Sequence, residues 1–413
     1  MNMREMKDSG IEWIADIPEH WSVSKIGGLY SLRVTKVSDR DYPPLSVTNK
    51  GILPQLETAA KTNAHDDRKL VCKGDFAINS RSDRRGSCGI SSYTGSVSLI
   101  NTILRPMTEM HPQYYDWLFH TIQFGDEFYK WGHGIVDDLW TTGWQDMKKI
   151  SIPTPPITEQ AVIADFLDEQ CAEIDTLVTD IQSQIEALEE YKRSVITEVV
   201  TKGLDPDVEM RDSGVQWIGM MPTHWDCQRG KYLLRYVQKP VRDDDGVITC
   251  FRDGEVTLRS NRREEGFTMA DKEIGYQGID VGDLVVHGMD GFAGSIGISD
   301  SKGKASPVLN VLDTEQNKRY IMYYLRSMAY NDVFVALATG IRVRSCDLRW
   351  NKLAELLYPM PPVEEQQAIV EHIDSVLERT NAIIADKKQQ IETIEEYKKS
   401  LIFEYVTGKK EVA

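Results

Sequence analysis

The 413-residue chain is 41% hydrophobic and 27% charged, an ordinary globular composition with length enough for two to four domains. Its net charge of −16 argues against a nucleic-acid partner only until the charge is located, because 12 of those surplus negative charges fall in residues 158–203 and 364–413. No apolar run approaches the roughly 20 residues of a membrane span, and the opening MNMREMKDSG lacks the apolar stretch of a secretion signal, so the sequence predicts a cytoplasmic chain with no membrane contact.

Elsewhere the charge is balanced. Residues 22–152 carry sixteen basic and fourteen acidic side chains, and residues 226–360 carry nineteen of each. The six cysteines (Cys72, Cys88, Cys171, Cys227, Cys250, Cys346) never stand at CxxC spacing, which leaves no zinc or disulfide framework to expect.

In chain order, the first stretch that organises the rest is Lys7 to Trp21, KDSGIEWIADIPEHW, which returns from Arg211 as RDSGVQWIGMMPTHW. Gly10, Trp13, Pro18, His20 and Trp21 match Gly214, Trp217, Pro222, His224 and Trp225 at an offset of 204. The chain is therefore two copies of one unit. After Trp21, short strand-like runs at Pro44–Thr48 and Asp75–Ile78 alternate with turn signals at Asn49-Lys50-Gly51, Lys73-Gly74-Asp75 and Thr94-Gly95, and a helix is expected from Tyr114 to Lys130. The first copy closes at Gly134 to Trp144 and Pro155-Pro156, the second at Gly340 to Trp350 and Pro361-Pro362, now at an offset of 206. Between these anchors the copies share little that aligns. Fixed ends around a divergent middle predict one scaffold presenting two different surfaces.

A run without Pro or Gly then extends from Thr158 to Lys202, with Gly203 as its stop. Ile174, Leu177, Ile181, Leu188, Tyr191 and Val195 follow a 3–4 spacing widened by Val178 and Ile185, so the sequence predicts a helix of roughly 65–70 Å with one apolar seam. The run from Glu364 to Thr407 repeats it: Glu159-Gln160 matches Glu365-Gln366, and Glu189-Glu190-Tyr191-Lys192 matches Glu395-Glu396-Tyr397-Lys398. Its seam is expected at Ile383, Ile394, Tyr397 and Leu401, interrupted by Lys387 and Gln390. Two such helices are expected to pair as an antiparallel coiled coil, with charged outer faces left to solvent or to partner proteins.

The fold class expected is α+β: two globular domains in tandem repeat, separated by two long helices in an antiparallel coiled coil with pseudo-twofold symmetry. The boundaries are a lead repeat at 1–21, a first globule at 22–157, a first helix at 158–203, a joint at 204–225, a second globule at 226–363, a second helix at 364–408 and a tail at 409–413. Because the first lead repeat follows no helix in sequence, it is expected beside the end of the second helix, near Tyr405.

No catalytic constellation is found. Phe292-Ala-Gly294-Ser-Ile-Gly297 lacks the strand–turn–helix frame of a cofactor loop and, with its counterpart Gly86 to Ser91, reads as a shared structural turn. There is no GxxxxGK[ST] loop, no methyltransferase Pro-Pro-aromatic motif, and no Glu-x-Lys partner for Asp205-Pro-Asp207. His20 and His224 recur with the repeated Trp, which points to packing or capping. What remains is binding. Arg81, Arg84 and Arg85 stand in one polar loop, Arg259, Asn261, Arg262 and Arg263 in another, and Arg342 and Arg344 precede the closing Trp350. Arg with Asn or Ser is the chemistry of guanine edges and phosphates.

The doubled Gly-x-x-Trp…Pro-x-His-Trp lead, the Pro-Pro-x-x-Glu-Gln starts of both long helices and their EEYK ends resemble the specificity subunits of type I restriction–modification enzymes. The resemblance covers nearly the whole chain. It implies that the globules are target recognition domains, each reading one half of a bipartite, asymmetric site in double-stranded DNA. The coiled coil would space them and dock two methyltransferase (modification) subunits, with restriction/translocase subunits as further partners. It also implies that this chain holds no cofactor of its own. S-adenosylmethionine for adenine N6 methylation, and ATP with Mg, belong to the partners. Two globules on a rigid spacer should meet DNA about one helical turn, roughly 34–36 Å, apart. The alternatives are a self-contained methyltransferase or nuclease with an unrecognised site, and a coiled-coil scaffold that binds protein.

Overall fold

A computed structural model describes residues 4–55, 65–81, 84–135, 140–262, 274–337 and 348–412. The chain forms two compact units: residues 1–181 with 388–413, and residues 182–387. Each unit holds one globule and portions of both long helices, Ile157–Lys202 and Val363–Val406.

In the first unit, the lead repeat is a hairpin, Met6–Asp8 against Asp16–Pro18. Its turn explains the Asp-Ser-Gly. Asp8 Oδ1 accepts from Gly10 N at 2.9 Å, Ser9 Oγ accepts from Ile11 N at 3.0 Å, and Gly10 sits at φ +68°, where a side chain would be strained. The core sheet has the order Cys88–Ile90, Phe76–Asn79, Asn101–Pro106, Tyr30–Leu32, antiparallel throughout. Phe76 and Phe119 pack across it with ring centroids 4.6 Å apart. Ser22–Lys25 pairs with Ser151–Thr154, tying the start of the globule to its exit into the first long helix.

The second unit repeats this plan within itself. Met210–Asp212 pairs with Met220–Pro222, and Asp226–Arg229 with Leu357–Met360. The core sheet runs Ile296–Ile298, Leu284–His287, Leu309–Asp313, Arg235–Tyr236. Three of its four strands start 208 residues after their counterparts, although sequence alignment lapses there. The turn before each second strand is also shared: Gly74 and Gly282 lie at φ +88° and +87°, and the buried Asp75 and Asp283 each accept a backbone N–H at 2.8 Å. Asp75 anchors Arg33, while Asp283 anchors Lys239. The glycine-rich runs are a turn as well, with Gly86 at φ +72° and Gly294 at +95° leading into Cys88–Ile90 and Ile296–Ile298.

Two expectations are corrected. The helix expected from Tyr114 to Lys130 is two, Pro112–Phe119 and Ile122–Lys130. Thr121 leaves helical geometry (ψ 145°) and its Oγ1 accepts from Phe124 N at 3.2 Å, so it caps a new helix rather than continuing the old. The seam is also rephased. Cys171, Ile181, Ile185 and Ile196 are buried, with Ile174, Val178, Leu188 and Val195 partly so, whereas Leu177 and Tyr191 are 49% and 51% exposed. On the second helix Ile384 and Leu401 are buried, while Ile383 and Tyr397 are 47% and 55% exposed. Two apolar lines lie side by side on each helix, and only one can face the partner helix.

The helices pair antiparallel within each unit. In the first unit Phe166 and Tyr405 have ring centroids 4.5 Å apart, and Lys398 Nζ meets Asp175 Oδ1 at 2.6 Å. In the second, Lys387 Nζ donates to Gln184 Oε1 at 2.5 Å. The α+β class, with a tandem repeat and two long antiparallel helices, is the one expected.

Candidate nucleic-acid interface

The site is built on two joints. In the first unit Trp21 Nε1 donates to Glu159 Oε2 at 2.9 Å, His20 Nε2 meets Glu159 Oε1 at 2.5 Å, and Arg4 Nη2 reaches Oε2 at 2.5 Å. Glu159 stands in the first turn of the long helix, where the helix dipole favours a carboxylate. Burial pushes its carboxyl up, but the hydrogen bonds from Trp21, His20 and Arg4 outweigh burial and hold it below its usual range. In the second unit Trp225 Nε1 donates to Glu365 Oε1 at 3.0 Å and His224 Nε2 meets Oε2 at 2.8 Å. The repeated His therefore fixes a helix start.

The Gln that follows each Glu is buried and fully used. Gln160 donates to the Pro155 carbonyl at 2.8 Å and accepts from His111 N at 2.9 Å. Gln366 donates to Pro361 at 2.9 Å and accepts from Asn317 N at 3.0 Å. Each joint also receives the end of the other long helix. Tyr114 Oη donates to the Val406 carbonyl at 2.7 Å, Lys409 Nζ donates to the Ile14 carbonyl at 2.7 Å, and a Cβ on Gly408 would lie 2.5 Å from Pro18. In the second unit Tyr320 Oη donates to Val200 at 3.1 Å, and Gly203 lies against Trp225 and Glu365. The lead repeat thus packs at the end of the second helix, as its place in the sequence predicted. The Glu partner of each His-Trp pair was not foreseen, although Glu159 and Glu365 sit in the repeated Pro-Pro-x-x-Glu-Gln.

The Arg loops follow strands of different sheets: Arg81, Arg84 and Arg85 come after the core strand Phe76–Asn79, and Arg259 to Arg262 after Val256–Leu258, which pairs with Ile248–Cys250. In the first unit Arg81 N donates to Asn79 Oδ1 at 3.1 Å, and Arg81 forms an isolated antiparallel bridge with Thr141. Arg85 Nη1 pairs with Asp126 at 3.0 Å and its guanidinium lies 5.2 Å from the Tyr129 ring centre. Arg84 and Arg85 border a cleft of about 660 Å³ shared with Asn49, Arg68 and Asn101. Arg68 is buried and donates to Ser96 Oγ and to the Ser96 carbonyl, both at 2.9 Å; burial lowers its pKa. Arg81, Arg84 and Arg85 are exposed.

In the second unit Arg259–Asn261 forms a single 3-10 turn after the strand Val256–Leu258. Asn261 Nδ2 donates to Thr257 Oγ1 at 2.9 Å, and Arg259 Nε donates to Thr249 Oγ1 at 3.3 Å. Arg262 is held harder, by Asp253 at 2.7 Å and Glu255 at 2.9 Å, with its guanidinium 4.2 Å from the Phe251 ring centre. Its charge is therefore locally compensated. Arg263, Arg342 and Arg344 lie outside the described residues. Among the described residues no group of three or more His, Cys, Asp or Glu is arranged to hold a metal ion, and no helix is long and apolar enough to cross a membrane.

A repeated joint clamps each globule to the start of one long helix and the end of the other, which makes the chain a tandem-repeat scaffold. No family model matches the chain. It is similar to the MjaVIII type I restriction enzyme specificity subunit of Methanocaldococcus jannaschii, 24% identical over 95% of this chain and 93% of that one. A putative MjaX specificity subunit of the same organism is 24% identical over 64% of this chain and 60% of its own length. Among solved structures, a chain from a study of complex assembly and conformational transition of a type I R-M system has a TM-score of 0.68 at 13% identity, over 95% and 99% of the two chains. The HsdS subunit of Thermoanaerobacter tengcongensis gives 0.51 at 13% identity, over 95% and 98%. The resemblance read from the repeats is borne out: the chain is similar over nearly its whole length to a type I restriction enzyme specificity subunit, and it shares the fold of a solved HsdS subunit.

Proposed function

We propose that this chain is the DNA sequence-specificity subunit of a type I restriction–modification complex and has no active site of its own. Each globule reads one half of a bipartite, asymmetric site in double-stranded DNA. The observation that carries this reading is the contrast between duplicated joints and unduplicated loops: one frame holds two different Arg-bearing surfaces. Arg84 and Arg85 beside the first cleft, and Arg259 with Asn261 in the second globule, have the chemistry for base edges and phosphates.

The long helices act as the spacer and as the dock for two modification subunits. Supporting this, each unit leaves an apolar pair outside its helix seam: Leu177 and Tyr397 in the first, Tyr191 and Ile383 in the second. Leu177 matches Ile383 and Tyr191 matches Tyr397 at an offset of 206, so the two patches offer the same surface twice. S-adenosylmethionine, ATP and Mg act on the partner subunits, and the complex works in the cytoplasm.

The test is a binding titration with a duplex carrying the methylated motif of the host. The variant R81Q/R84Q/R85Q should bind more weakly and with a shallower salt dependence. Unchanged affinity and slope remove that loop from the interface. Tight binding of S-adenosylmethionine by the chain alone would contradict the non-catalytic reading.

A further inference from the structure

A second cleft, of about 700 Å³, lies wholly within the second unit, between both long helices and the globule. Its wall on the first long helix carries Lys192 and Arg193; its opposite wall carries Arg252, Arg326 and Tyr330. Two of these cations are occupied, Lys192 by Glu189 at 2.9 Å and Arg252 by Asp290 at 3.1 Å. The lining carboxylate of Asp253 is taken up by Arg262.

Arg193 and Arg326 differ. Their guanidinium carbons lie 5.6 and 5.9 Å from the centre of the same Tyr330 ring. Arg326 donates through Nε to Tyr330 Oη at 3.0 Å and through Nη2 to the Asp253 carbonyl, both uncharged acceptors. Among the described residues neither guanidinium is within ion-pair reach of a carboxylate; Asp332, on the cleft wall, pairs with neither. The place is also made to fit Arg326. Gly254 sits at φ +88°, and a Cβ there would come within 2.6 Å of the guanidinium carbon. Two cations set against one ring in one cleft, neither with a counter-charge and one of them seated against a glycine, are placed to receive an anion.

The first unit pairs its cations at the corresponding positions. At the positions matching Lys192, Arg193 and Asn381 it has Lys398, Lys399 and Asp175. There Lys398 bonds Asp175 at 2.6 Å and Lys399 bonds Glu396 at 2.6 Å. In the second unit Asn381 stands where that carboxylate would be and Lys192 pairs with Glu189 instead, while Arg193, unlike its match Lys399, meets no carboxylate among the described residues.

We propose that this cleft is a phosphate-binding site in which Arg193 and Arg326 grip one phosphate group. The phosphate is either a phosphodiester of DNA held by the second globule, which rests on the DNA reading above, or a free polyphosphate. Tyr330 lies against both guanidiniums and helps to orient them.

The experiment compares the full chain with R193Q/R326Q in two arms: duplex DNA over a range of salt, and inorganic pyrophosphate by calorimetry. Loss of one phosphate contact should lower the salt slope of log K by about 0.9 and weaken DNA binding uniformly across sequences. That result identifies a phosphodiester. An unchanged slope with pyrophosphate binding lost only in the variant identifies a free polyphosphate. If both arms are unchanged, the site does not exist. If wild-type chain binds no DNA at all, the DNA reading fails, and the pyrophosphate arm decides the cleft alone. R193Q by itself, on an exposed helix position, guards against misfolding, and R193K/R326K, which keeps the charge but loses the planar fork, should keep the salt slope while binding more weakly than the full chain.

Discussion

The joints and the Arg loops obey opposite rules. Across the duplication the joints keep their bonds nearly atom for atom. The Trp–Glu bonds are 2.9 and 3.0 Å and the Gln–Pro bonds 2.8 and 2.9 Å, and a Tyr hydroxyl reaches a Val carbonyl in both units. The Arg loops are not counterparts: Arg84 and Arg85 follow the core strand Phe76–Asn79, whose match is Leu284–His287, whereas Arg262 follows Val256–Leu258. Arg85 leans on Asp126 and Tyr129, whereas Arg262 is gripped by Asp253, Glu255 and Phe251. A frame must satisfy the same buried polar groups each time it is built, so its partners cannot drift. An exposed loop carries no such constraint and is free to diverge.

The largest break in this comparison should come from emptying a joint. Trp225 and Trp21 are each 1% exposed, and Trp225→Ala or Trp21→Ala should cost about 3–5 kcal/mol by chemical denaturation. Similar losses in the two variants support equivalent joints; a loss below about 1 kcal/mol in either would mean that joint is not a structural clamp.

Next come the helix-end glycines. Gly408 lies at φ +73° with Pro18 2.5 Å from a built Cβ and Trp21 at 2.9 Å; Gly203 lies at φ +78° with nothing closer than 3.2 Å. Gly408→Ala should therefore cost about 2–4 kcal/mol and Gly203→Ala about 1–2, from left-handed strain plus, at Gly408, overpacking. Thermal melts of the two variants in the reverse order would show that the joints are packed differently from this description.

A smaller effect should separate the lead hairpins. Ala15 sits at φ +61°, and its counterpart Gly219 at +66°. Ala15→Gly relieves the strain and should stabilise by about 0.5–1 kcal/mol after glycine's entropy cost, while Gly219→Ala should destabilise by a similar amount. Equal and opposite shifts in melting temperature check this, and a destabilised A15G contradicts it.

The smallest is a pH effect. The Glu159 carboxyl is held below its ordinary value of 4.5, so its stabilisation is fully present above that pH and is lost as pH falls through the lower folded value. Melts between pH 5 and pH 2, as rough bounds around that window, should show the first joint weakening, and Glu159→Gln should remove that part of the dependence. An unchanged profile in the variant excludes Glu159 as its source.

Much of the frame was legible because it is duplicated. The matched Trp, Pro, His and Gly residues, the Pro-Pro-x-x-Glu-Gln starts and the Gly203 stop all mark positions where backbone geometry or a buried bond permits little else. Of the core sheet only Phe76–Asn79 was legible, as the run Asp75–Ile78 after its Gly turn; the other strands were not, since the two copies no longer share residues there. Helix phase was ambiguous for a local reason: Leu177 lies beside Val178 and Tyr191 near Leu188, and spacing alone does not choose between adjacent apolar lines. The break at Thr121 was hidden by helix-forming neighbours on both sides. Of the candidate site, the Arg positions could be named from type and spacing, but the compensation of Arg262 by Asp253 and Glu255 depends on a turn that sequence does not mark. The carboxylate that catches each His-Trp pair comes from about 140 residues away and is visible only in three dimensions.

The central claim, two different readers on one repeated frame, is tested most directly by mapping DNA methylation in a host that carries this chain with its modification subunit. The map should return one asymmetric motif of two half-sites around a fixed spacer, and R84Q/R85Q should relax or abolish only one half. A single continuous motif, or a variant that alters both halves together, would contradict it.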